Sequence, residues 1–398
     1  METALAVATA HTGAASLSEA TAIVGVGHSA IGKLPGRSAW SLQVEAVRRA
    51  LDDAGLTKDD VDGLFTEAQL SEPLLMHCTM LGRHLGLRPR VAMSQSQGGA
   101  TAISLIQTAA MAVQAGMCSV AVCVLGDNAK TGMPNIYGLA MMGRGTDFPA
   151  FGHLGGPGLE ALACRRHMHT YGTTHEQLGH IPVTFRAHAQ KTPHAQMREP
   201  MTLDDYMGAR WVVEPFRLFD CCVMSDFGAA VVVTSAERAR DLAQAPVLIR
   251  GMGQAHNLAS LGPLDPDHYT TYAGARSSVE AYRMAGIGPA DVDVAEIYDG
   301  FSYVALVTLE DYGFCAKGEG GPFCADGNIA LGGTIPTNTS GGLLSEGYLL
   351  GMGHVIEATR QLRGECGERQ VDGAEIAAVS GHGGFQATHA TLILRGGQ

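Results

Sequence analysis

Tyr348 lies in a glycine-rich stretch, SGGLLSEGYLLGMG, that leads into an amphipathic helical pattern ending near Gly364. Catalytic turns of this kind more often use histidine for acid–base chemistry. A free tyrosine has a pKa near 10, so only about one part in 10³ is ionised at pH 7. It can donate a proton without any shift, but to act as a base its pKa must fall by roughly 2–3 units. On its own, a tyrosine here is more often a packing residue of the loop.

A second tyrosine, Tyr298, follows the apolar run VAEI and precedes DGFS. On its own it is more often a half-buried aromatic at the end of a strand. Two other polar side chains stand in glycine-rich turns, Ser96 in SQSQGGATAI and His382 in SGHGG. Asp299 can orient a neighbouring hydroxyl or serve equally well as a turn or cap residue. His382 likewise suits either contact with the substrate or a structural role in the turn.

An internal repeat supplies the elements that must position these residues. AIVGVG and LIRGMG each predict a buried strand ending in a glycine turn. Ser38 is a suitable N-cap for the helix after the first strand. Apolar residues at helical spacing form one face of that helix; they are Leu42, Ala46, Val47, Ala50, Leu51 and Ala54.

The repeat keeps a constant offset after each helix. Ala54-Gly55-Leu56 corresponds to Ala285-Gly286-Ile287, and the sequence DVD recurs at the same distance after both. Gly55 and Gly286 are predicted to end their helices in the left-handed conformation. Chance can produce such a match at one site. The second shared motif at the same spacing argues against chance.

Each half continues with a Gly-Gly turn, a long helix over residues 98–116 or 341–364, and an apolar strand. The alternation predicts a layered α/β fold with mainly parallel sheets. We expect a tail over residues 1–20, a first half over 21–245 and a second half over 246–398. Residues 129–215 are too long for a simple connection and predict an inserted lobe within the first half. Its basic residues suit either an anionic ligand or a solvated surface.

Composition limits the function classes. The chain has 398 residues, 46% hydrophobic and 17% charged, which is enough for one large core or two fused ones. A formal net charge of −12 argues against nucleic acid as a general partner. No apolar run reaches bilayer-spanning length, and the N-terminus has no basic region typical of a signal peptide. Nine scattered cysteines without a CxxC pair favour reduced thiols in a cytoplasmic enzyme.

Several motifs carry a resemblance to the thiolase superfamily. Residues 220–239, DCCVMSDFGAAVVVTSAERA, resemble the thiolase DC…SDGAAA segment. Residues 168–197 and 337–348 resemble loops of the sterol-carrier-protein-x branch, the lipid-transfer-type thiolases. The resemblance runs from about Thr21 to the C-terminus. It implies the thiolase fold, two duplicated βαβαβ-type halves in a layered αβαβα arrangement with an inserted loop lobe, and a homodimer.

The catalytic residues of a thiolase do not carry over. The position of its nucleophilic cysteine holds Ser96, and the histidine of its GHP loop is replaced by Tyr348. The Asn or His of its oxyanion hole corresponds to Tyr298, and its C-terminal cysteine loop to the turn with His382. Covalent acyl transfer needs a thiolate, because a hydroxyl at its free pKa is a far weaker nucleophile. These departures argue against thiolase activity.

The same departures resemble the steroid side-chain aldolases of this branch. That resemblance implies retro-aldol cleavage of a bulky β-hydroxyacyl-CoA to a ketone and a short acyl-CoA such as propionyl-CoA. It implies Tyr298 and Tyr348 as the catalytic pair. It also implies a small zinc-ribbon/OB-fold partner of the domain-of-unknown-function-35 (DUF35) type, together forming a heterotetramer.

Elementary chemistry is compatible with this expectation. A thioester offers no ketone for a Schiff base, the chain has only five lysines, and no His/Asp/Glu set stands at metal-ligand spacing. We therefore expect no metal and no cofactor other than the coenzyme A of the substrate. A helix N-terminus can supply up to about 2 kcal/mol toward a lowered pKa, which favours Tyr348 as base and Tyr298 as acid, with the reverse still open.

Backbone N–H groups of two glycine turns, Gly341-Gly342 and Gly383-Gly384, are predicted to hold the thioester oxygen. Ser96 is expected to shape the pocket. Two alternatives remain open: a thiolase or acyltransferase with an unusual nucleophile, and a non-catalytic subunit that binds acyl-CoA or lipid.

Overall fold

Strands and helices alternate along the chain in the computed structural model, which describes residues 17–72, 74–132, 156–257, 269–385 and 387–397. The strands are β1 (Thr21–His28), β2 (Gly63–Thr66), β3 (Val91–Ser94), β4 (Val120–Asp127), β5 (Trp211–Val213), β6 (Phe216–Arg217), β7 (Phe227–Ser235), β8 (Val247–His256), β9 (Val294–Glu296), β10 (Ile376–Gly383) and β11 (Thr388–Gly396). The helices are α1 (Ala39–Ala54), α2 (His77–Leu85), α3 (Thr101–Gln114), α4 (Gly156–Tyr171), α5 (His175–Ala189), α6 (Leu203–Gly208), α7 (Ala236–Ala239), α8 (Gly274–Ala285), α9 (Ser302–Asp311), α10 (Gly320–Ala325), α11 (Gly342–Ser345) and α12 (Met352–Arg363).

Nine strands form one sheet in which the halves correspond when read outward from the centre, as β1-β7-β4-β2 and β8-β11-β10-β9, with β3 as an additional edge strand of the first half. From one edge the order is β3-β2-β4-β7-β1, followed by β8-β11-β10-β9. The halves join where β1 and β8 pair in antiparallel fashion, at Ala22 with Leu248 and Ile23 with Val247. The duplication predicted from the sequence is therefore present in the sheet topology.

The expectation of mainly parallel pairing is wrong. Only β2–β3, β2–β4 and β9–β10 are parallel, while the other five pairs of neighbours in the large sheet are antiparallel. The cause is visible at β10 and β11: β11 begins five residues after β10 ends. A connection that short cannot contain the crossover needed for a parallel pair.

Helices cover both faces of each half-sheet and so produce the αβαβα layers. Helix α1 packs against β1, β7 and β4, and α8 packs against β8 and β11. Helices α3 and α12 contact each other and strands of both halves, and their apolar side chains belong to one central cluster. Both are buried around most of their circumference, as expected for helices between two sheet layers.

The glycine pairs of β1 and β8 lie inside the strands, not in turns after them as predicted. A Cβ at Gly25 or Gly27 would clash with the backbone of α1 near Ala50. A Cβ at Gly251 or Gly253 would clash in the same way with the backbone of α8. These glycines therefore allow a helix to approach a strand closely. This close approach accounts for the GVG motif, so the motif is not evidence of a nucleotide-binding loop.

Other features of the repeat agree with the prediction. Ser38 caps α1, and all six residues predicted for its apolar face are buried. Gly55 and Gly286 end α1 and α8 with φ of +68° each. Asp62 accepts hydrogen bonds from the first backbone N–H groups of β4, and Asp293 does the same for β10.

Residues 341–364 do not form the single helix that was predicted. The short helix α11 ends at Ser345, and α12 begins only at Met352. Between them, Gly347 and Gly351 have φ of +155° and +84°, which a continuous right-handed helix cannot accommodate. The break leaves Tyr348 in a loop between the two helices.

The predicted lobe contains α4, α5, α6 and β5, and its residues 133–155 lie outside the described ranges, as does most of the predicted tail. Strand β1 begins at Thr21 and β8 at Val247, next to the predicted boundaries. Among the described residues, no helix combines the length and apolar character needed to span a bilayer.

Candidate active site

A cavity of about 480 Å³ lies where the carboxyl ends of strands from both halves converge. Glu67 follows β2, Asp127 ends β4, Tyr298 follows β9 and His382 lies near the end of β10. The remaining wall is mainly apolar and includes Phe227, Phe301, Val304, Leu350 and Phe385. Its volume and its few convergent polar groups are those of a small-molecule site.

The two tyrosines singled out in the sequence meet in this cavity. The Tyr298 and Tyr348 hydroxyl oxygens are 3.1 Å apart, within hydrogen-bonding distance. Both side chains line the cavity. The pair can therefore present phenolic protons to one bound oxygen or carbon.

Tyr298 is held at its backbone and its ring. Its N–H donates to the Ser380 hydroxyl at 2.9 Å, which ties the end of β9 to β10. Its ring lies so close to Gly99 that a Cβ there would clash with it. The ring also stacks on His354, with centroids 6.3 Å apart and an interplanar angle of 28°.

The loop that carries Tyr348 is fixed by buried polar groups. The Tyr348 N–H donates to the Ser225 hydroxyl at 2.8 Å. Glu346 Oε1 lies 2.9 Å from His194 Nε2, and its other oxygen accepts from the Ser340 hydroxyl. Burial opposes ionisation of Glu346, but the contact with His194 outweighs it and lowers the pKa to about 2.

The electrostatics of Tyr348 differ from the expectation of a lowered pKa. Burial raises the pKa of Tyr348 above its ordinary value, and nearby Cys222 raises it further. The hydrogen bond with Tyr298 opposes this rise, while the Glu67 carboxyl adds to it. In this structure Tyr348 is therefore set as a proton donor and not as a base.

Asp299 acts as a cap. Its carboxylate accepts from the N–H groups of Leu343 and Leu344 at 2.8 and 3.2 Å, at the start of α11. Its Oδ1 also lies 3.0 Å from His354 Nε2. Asp299 is fully buried and thus holds the loop before Tyr348 against the strand end that carries Tyr298.

The four glycines predicted to hold the thioester oxygen do not all lie at the cavity. Gly384 lines the cavity, whereas Gly341, Gly342 and Gly383 are not part of its wall. The Gly341 N–H donates to the Asn338 carbonyl at 2.9 Å. An oxyanion contact from the first glycine pair would therefore require that loop to rearrange.

His382 belongs to a second polar group in the cavity. Its Nε2 lies 3.3 Å from Glu160 Oε1, and the Tyr272 hydroxyl donates to the other oxygen of Glu160. The His382 and Tyr272 rings stack with centroids 5.0 Å apart. Glu160, from α4 of the lobe, was not predicted from the sequence, and no motif marks it.

Ser96 lines the cavity and its hydroxyl donates to Glu67, a second residue that the sequence analysis missed. The repeat could have indicated Glu67. Asp291 lies 231 residues after Asp60, and Tyr298 lies 231 residues after Glu67. Glu67 is thus the counterpart of Tyr298 at the end of the equivalent strand.

Two thiols, Cys221 and Cys222, line the cavity. Burial raises the pKa of Cys221 far above the ordinary range and that of Cys222 to about 12. Both side chains are therefore protonated thiols at neutral pH, the form that is a poor nucleophile.

Among the described residues, the cavity wall contains carboxyl groups but no lysine or arginine. None of the basic residues in the described part of the lobe belongs to its wall. The described residues contain no group of three or more His, Cys, Asp or Glu side chains arranged to hold a metal ion.

Comparison with known proteins gives consistent matches over most of the chain. The family described as "Thiolase C-terminal domain-like" matches residues 253–396. The chain is 39% identical over 388 residues to a steroid side-chain-cleaving aldolase of Thermomonospora curvata, covering 92% of this chain and 95% of that protein. It is 37% identical over 369 residues to 17-hydroxy-3-oxo-4-pregnene-20-carboxyl-CoA lyase of Mycobacterium tuberculosis, covering 87% and 92%. The solved structure of an Ltp2-ChsH2(DUF35) aldolase superposes with a TM-score of 0.86 at 37% identity, covering 96% of this chain and 98% of that chain.

Proposed function

The chain belongs to the thiolase superfamily, in the sterol-carrier-protein-like branch of the steroid side-chain-cleaving aldolases, and from this membership we propose that it is a carbon–carbon lyase acting on CoA thioesters. Its substrate is a bulky β-hydroxyacyl-CoA of the steroid side-chain type. Its products are a ketone and a short acyl-CoA such as propionyl-CoA. Coenzyme A enters as part of the substrate, and no further cofactor takes part.

The observation that carries the proposal is the pair of tyrosine hydroxyls 3.1 Å apart inside an apolar cavity. Retro-aldol cleavage removes a proton from the β-hydroxyl, breaks the carbon–carbon bond and leaves a thioester enolate. That enolate must be stabilised and then protonated at carbon. A paired phenol can do both, because one hydroxyl donates a hydrogen bond to the enolate oxygen while the other delivers the proton.

The alternatives have less support. Acyl transfer requires a nucleophile, and the cavity offers protonated thiols and Ser96. A non-catalytic subunit that binds acyl-CoA or lipid would not need two buried phenols placed against each other.

For the assembly we propose a cytoplasmic homodimer that binds a small DUF35-type partner, giving a heterotetramer. The similar structure, an Ltp2-ChsH2(DUF35) aldolase, supports the partner class. The homodimer rests on the resemblance to thiolases alone.

The test is to replace each tyrosine by phenylalanine in the chain co-purified with its partner. Tyr298→Phe and Tyr348→Phe should each lower ketone release by about 10²–10⁴-fold, the usual contribution of a positioned acid or base. Ketone release is measured by chromatography with a β-hydroxyacyl-CoA carrying a steroid ring system. Tyr171→Phe, a half-exposed position outside the cavity wall, is the matched control.

The proposal fails if the wild-type complex binds the hydroxyacyl-CoA but releases no ketone, which favours the non-catalytic alternative. Near wild-type turnover in both cavity variants would remove the tyrosines from the mechanism while leaving the lyase activity in place.

A further inference from the structure

We propose that Glu67 is the catalytic base that takes the proton from the substrate β-hydroxyl, with Ser96 as its positioning residue. This rests on the proposed lyase function and names a third reacting group in the same cavity. The carboxylate accepts the hydroxyl proton, and the tyrosine pair stabilises and protonates the enolate.

The placement of Glu67 is that of a residue facing bound ligand. It follows the end of β2 and lines the cavity together with both tyrosines. Its Oε1 accepts from the Ser96 hydroxyl. Its Oε2 is shielded from solvent and has no hydrogen-bond partner among the described residues. A buried carboxylate oxygen without a partner is costly, and a substrate hydroxyl would satisfy it once the side chain turns this oxygen toward the cavity.

The other polar groups of the cavity are less suited to this role. Tyr348 has a raised pKa and is protonated at neutral pH. Asp127 accepts from the Leu70 N–H at 3.0 Å, the Asn128 N–H at 2.9 Å and the Ser71 hydroxyl, so its oxygens are engaged in holding the segment after β2. Glu160 contacts His382 and Tyr272.

The electrostatics of Glu67 agree with its position. Burial raises the pKa of Glu67 to about 7; the hydrogen bond from the Ser96 hydroxyl and the nearby Thr101 hydroxyl lower it, and Asp127 raises it. A base is most effective when its pKa lies near the working pH. The other titratable groups of the cavity wall are Tyr298, Tyr348, Glu160, His382, Cys221 and Cys222.

The proton and electron balance closes without a co-reactant. The β-hydroxyl proton moves to Glu67 as the bond between the α- and β-carbons breaks and its electron pair passes into the thioester enolate. A tyrosine of the pair protonates the enolate at the α-carbon. The resulting phenolate then recovers the proton held by Glu67, which restores both groups.

The repeat gives this arrangement a structural basis. Glu67 and Tyr298 occupy equivalent positions at the ends of β2 and β9. Gly63 pairs with Ala121 of β4 as Val294 pairs with Ala377 of β10. The duplicated fold therefore brings a carboxylate and a phenol to one cavity from equivalent sites.

The experiment separates substrate binding from cleavage in the Glu67→Gln variant of the complex. Ketone release should fall about 10²–10⁴-fold, and the activity that remains should no longer decline below pH 7. Binding of the matching acyl-CoA that lacks the β-hydroxyl involves no proton transfer, so its dissociation constant should stay within a few-fold of wild type. Glu365→Gln, at an exposed carboxyl remote from the cavity, should leave both measurements unchanged.

Each of the remaining outcomes contradicts one specific claim. If wild type releases ketone and Glu67→Gln keeps both its rate and its decline below pH 7, Glu67 is not the base, although the lyase function stands. If the variant loses binding of this unreactive acyl-CoA together with cleavage, Glu67 acts through the structure of the site and the inference fails. If wild type releases no ketone, the proposed function itself fails.

Discussion

A phenol buried in a cavity of low dielectric donates a hydrogen bond readily but ionises with difficulty. This applies to Tyr348, whose pKa burial raises. The Tyr298 and Tyr348 hydroxyls are therefore suited to stabilising negative charge that develops in the substrate. Removal of the first proton requires a group that is already ionised near neutral pH, and Glu67 meets that requirement in the same cavity.

Ser96→Ala tests whether the serine at the thiolase nucleophile position forms a covalent intermediate. Its hydrogen bond lowers the pKa of Glu67, so removing it should raise that pKa. Because the base must be ionised, the decline in activity at low pH should shift to higher pH while most of the plateau rate remains. The measurement is a pH–rate profile of ketone release.

Intact-protein mass spectrometry of wild type mixed with acyl-CoA should show no acyl adduct. An adduct that disappears in Ser96→Ala would instead support acyl transfer. Ser94→Ala, two residues earlier on the edge strand β3 and outside the cavity wall, provides the control.

Part of this site could be identified from the sequence because some of its residues lie in motifs that are recognisable without the structure. Tyr298, Tyr348 and His382 stand in recognisable motifs that contain glycine, and all three line the cavity; the structure places His382 within β10 and not in the predicted turn. Glu67 and Glu160 carry no such motif. The direction of the Tyr348 pKa could not be predicted either, since it depends on burial and on Cys222 and Glu67, which are distant in sequence.

At the scale of elements, each half uses one aspartate to fix the start of a buried strand. Asp62 accepts from the N–H groups of Ser119 and Val120 at 2.7 and 2.9 Å. Asp293 accepts from those of Glu375 and Ile376, both at 2.9 Å. The repeated DVD motif is therefore a structural device that aligns β2 with β4 and β9 with β10.

Asp62→Ala and Asp293→Ala should each lower the free energy of unfolding by about 1–3 kcal/mol, because each leaves strand N–H groups without their acceptor. Urea denaturation followed by circular dichroism gives the values. Asp59→Ala, at an exposed side chain that pairs with Lys58, should change stability by no more than about 0.5 kcal/mol. Equal stability of all three variants would contradict the role of the motif.

The elements themselves were largely predictable, while their breaks and pairing directions were not. Helix α1, its Ser38 cap and its Gly55 end follow from local spacing and cap chemistry. Asp299, far away in sequence, caps the start of α11, and Gly347 and Gly351 adopt positive φ in the break that follows it. Strand direction depends on how the lobe and the short turn after β10 connect the chain, which periodicity does not encode.

At the scale of the whole molecule, the two halves share one interior. Helices α3 and α12, one from each half, contribute to a single central cluster with strands of both half-sheets. Arg363 of α12 is buried against the first half, 2.9 Å from Asp53 and donating to the Ala245 carbonyl. Glu19, before β1, pairs with Arg395 of β11.

Because neither half can bury its central helix without the other, we expect both halves to unfold together. Differential scanning calorimetry should show one transition for which the calorimetric and van't Hoff enthalpies agree. Asp62→Ala and Asp293→Ala, one in each half, should lower the midpoint of that same transition. Two separable transitions, each sensitive to only one of these substitutions, would show that the halves are independent units and that the shared helix layer does not couple them.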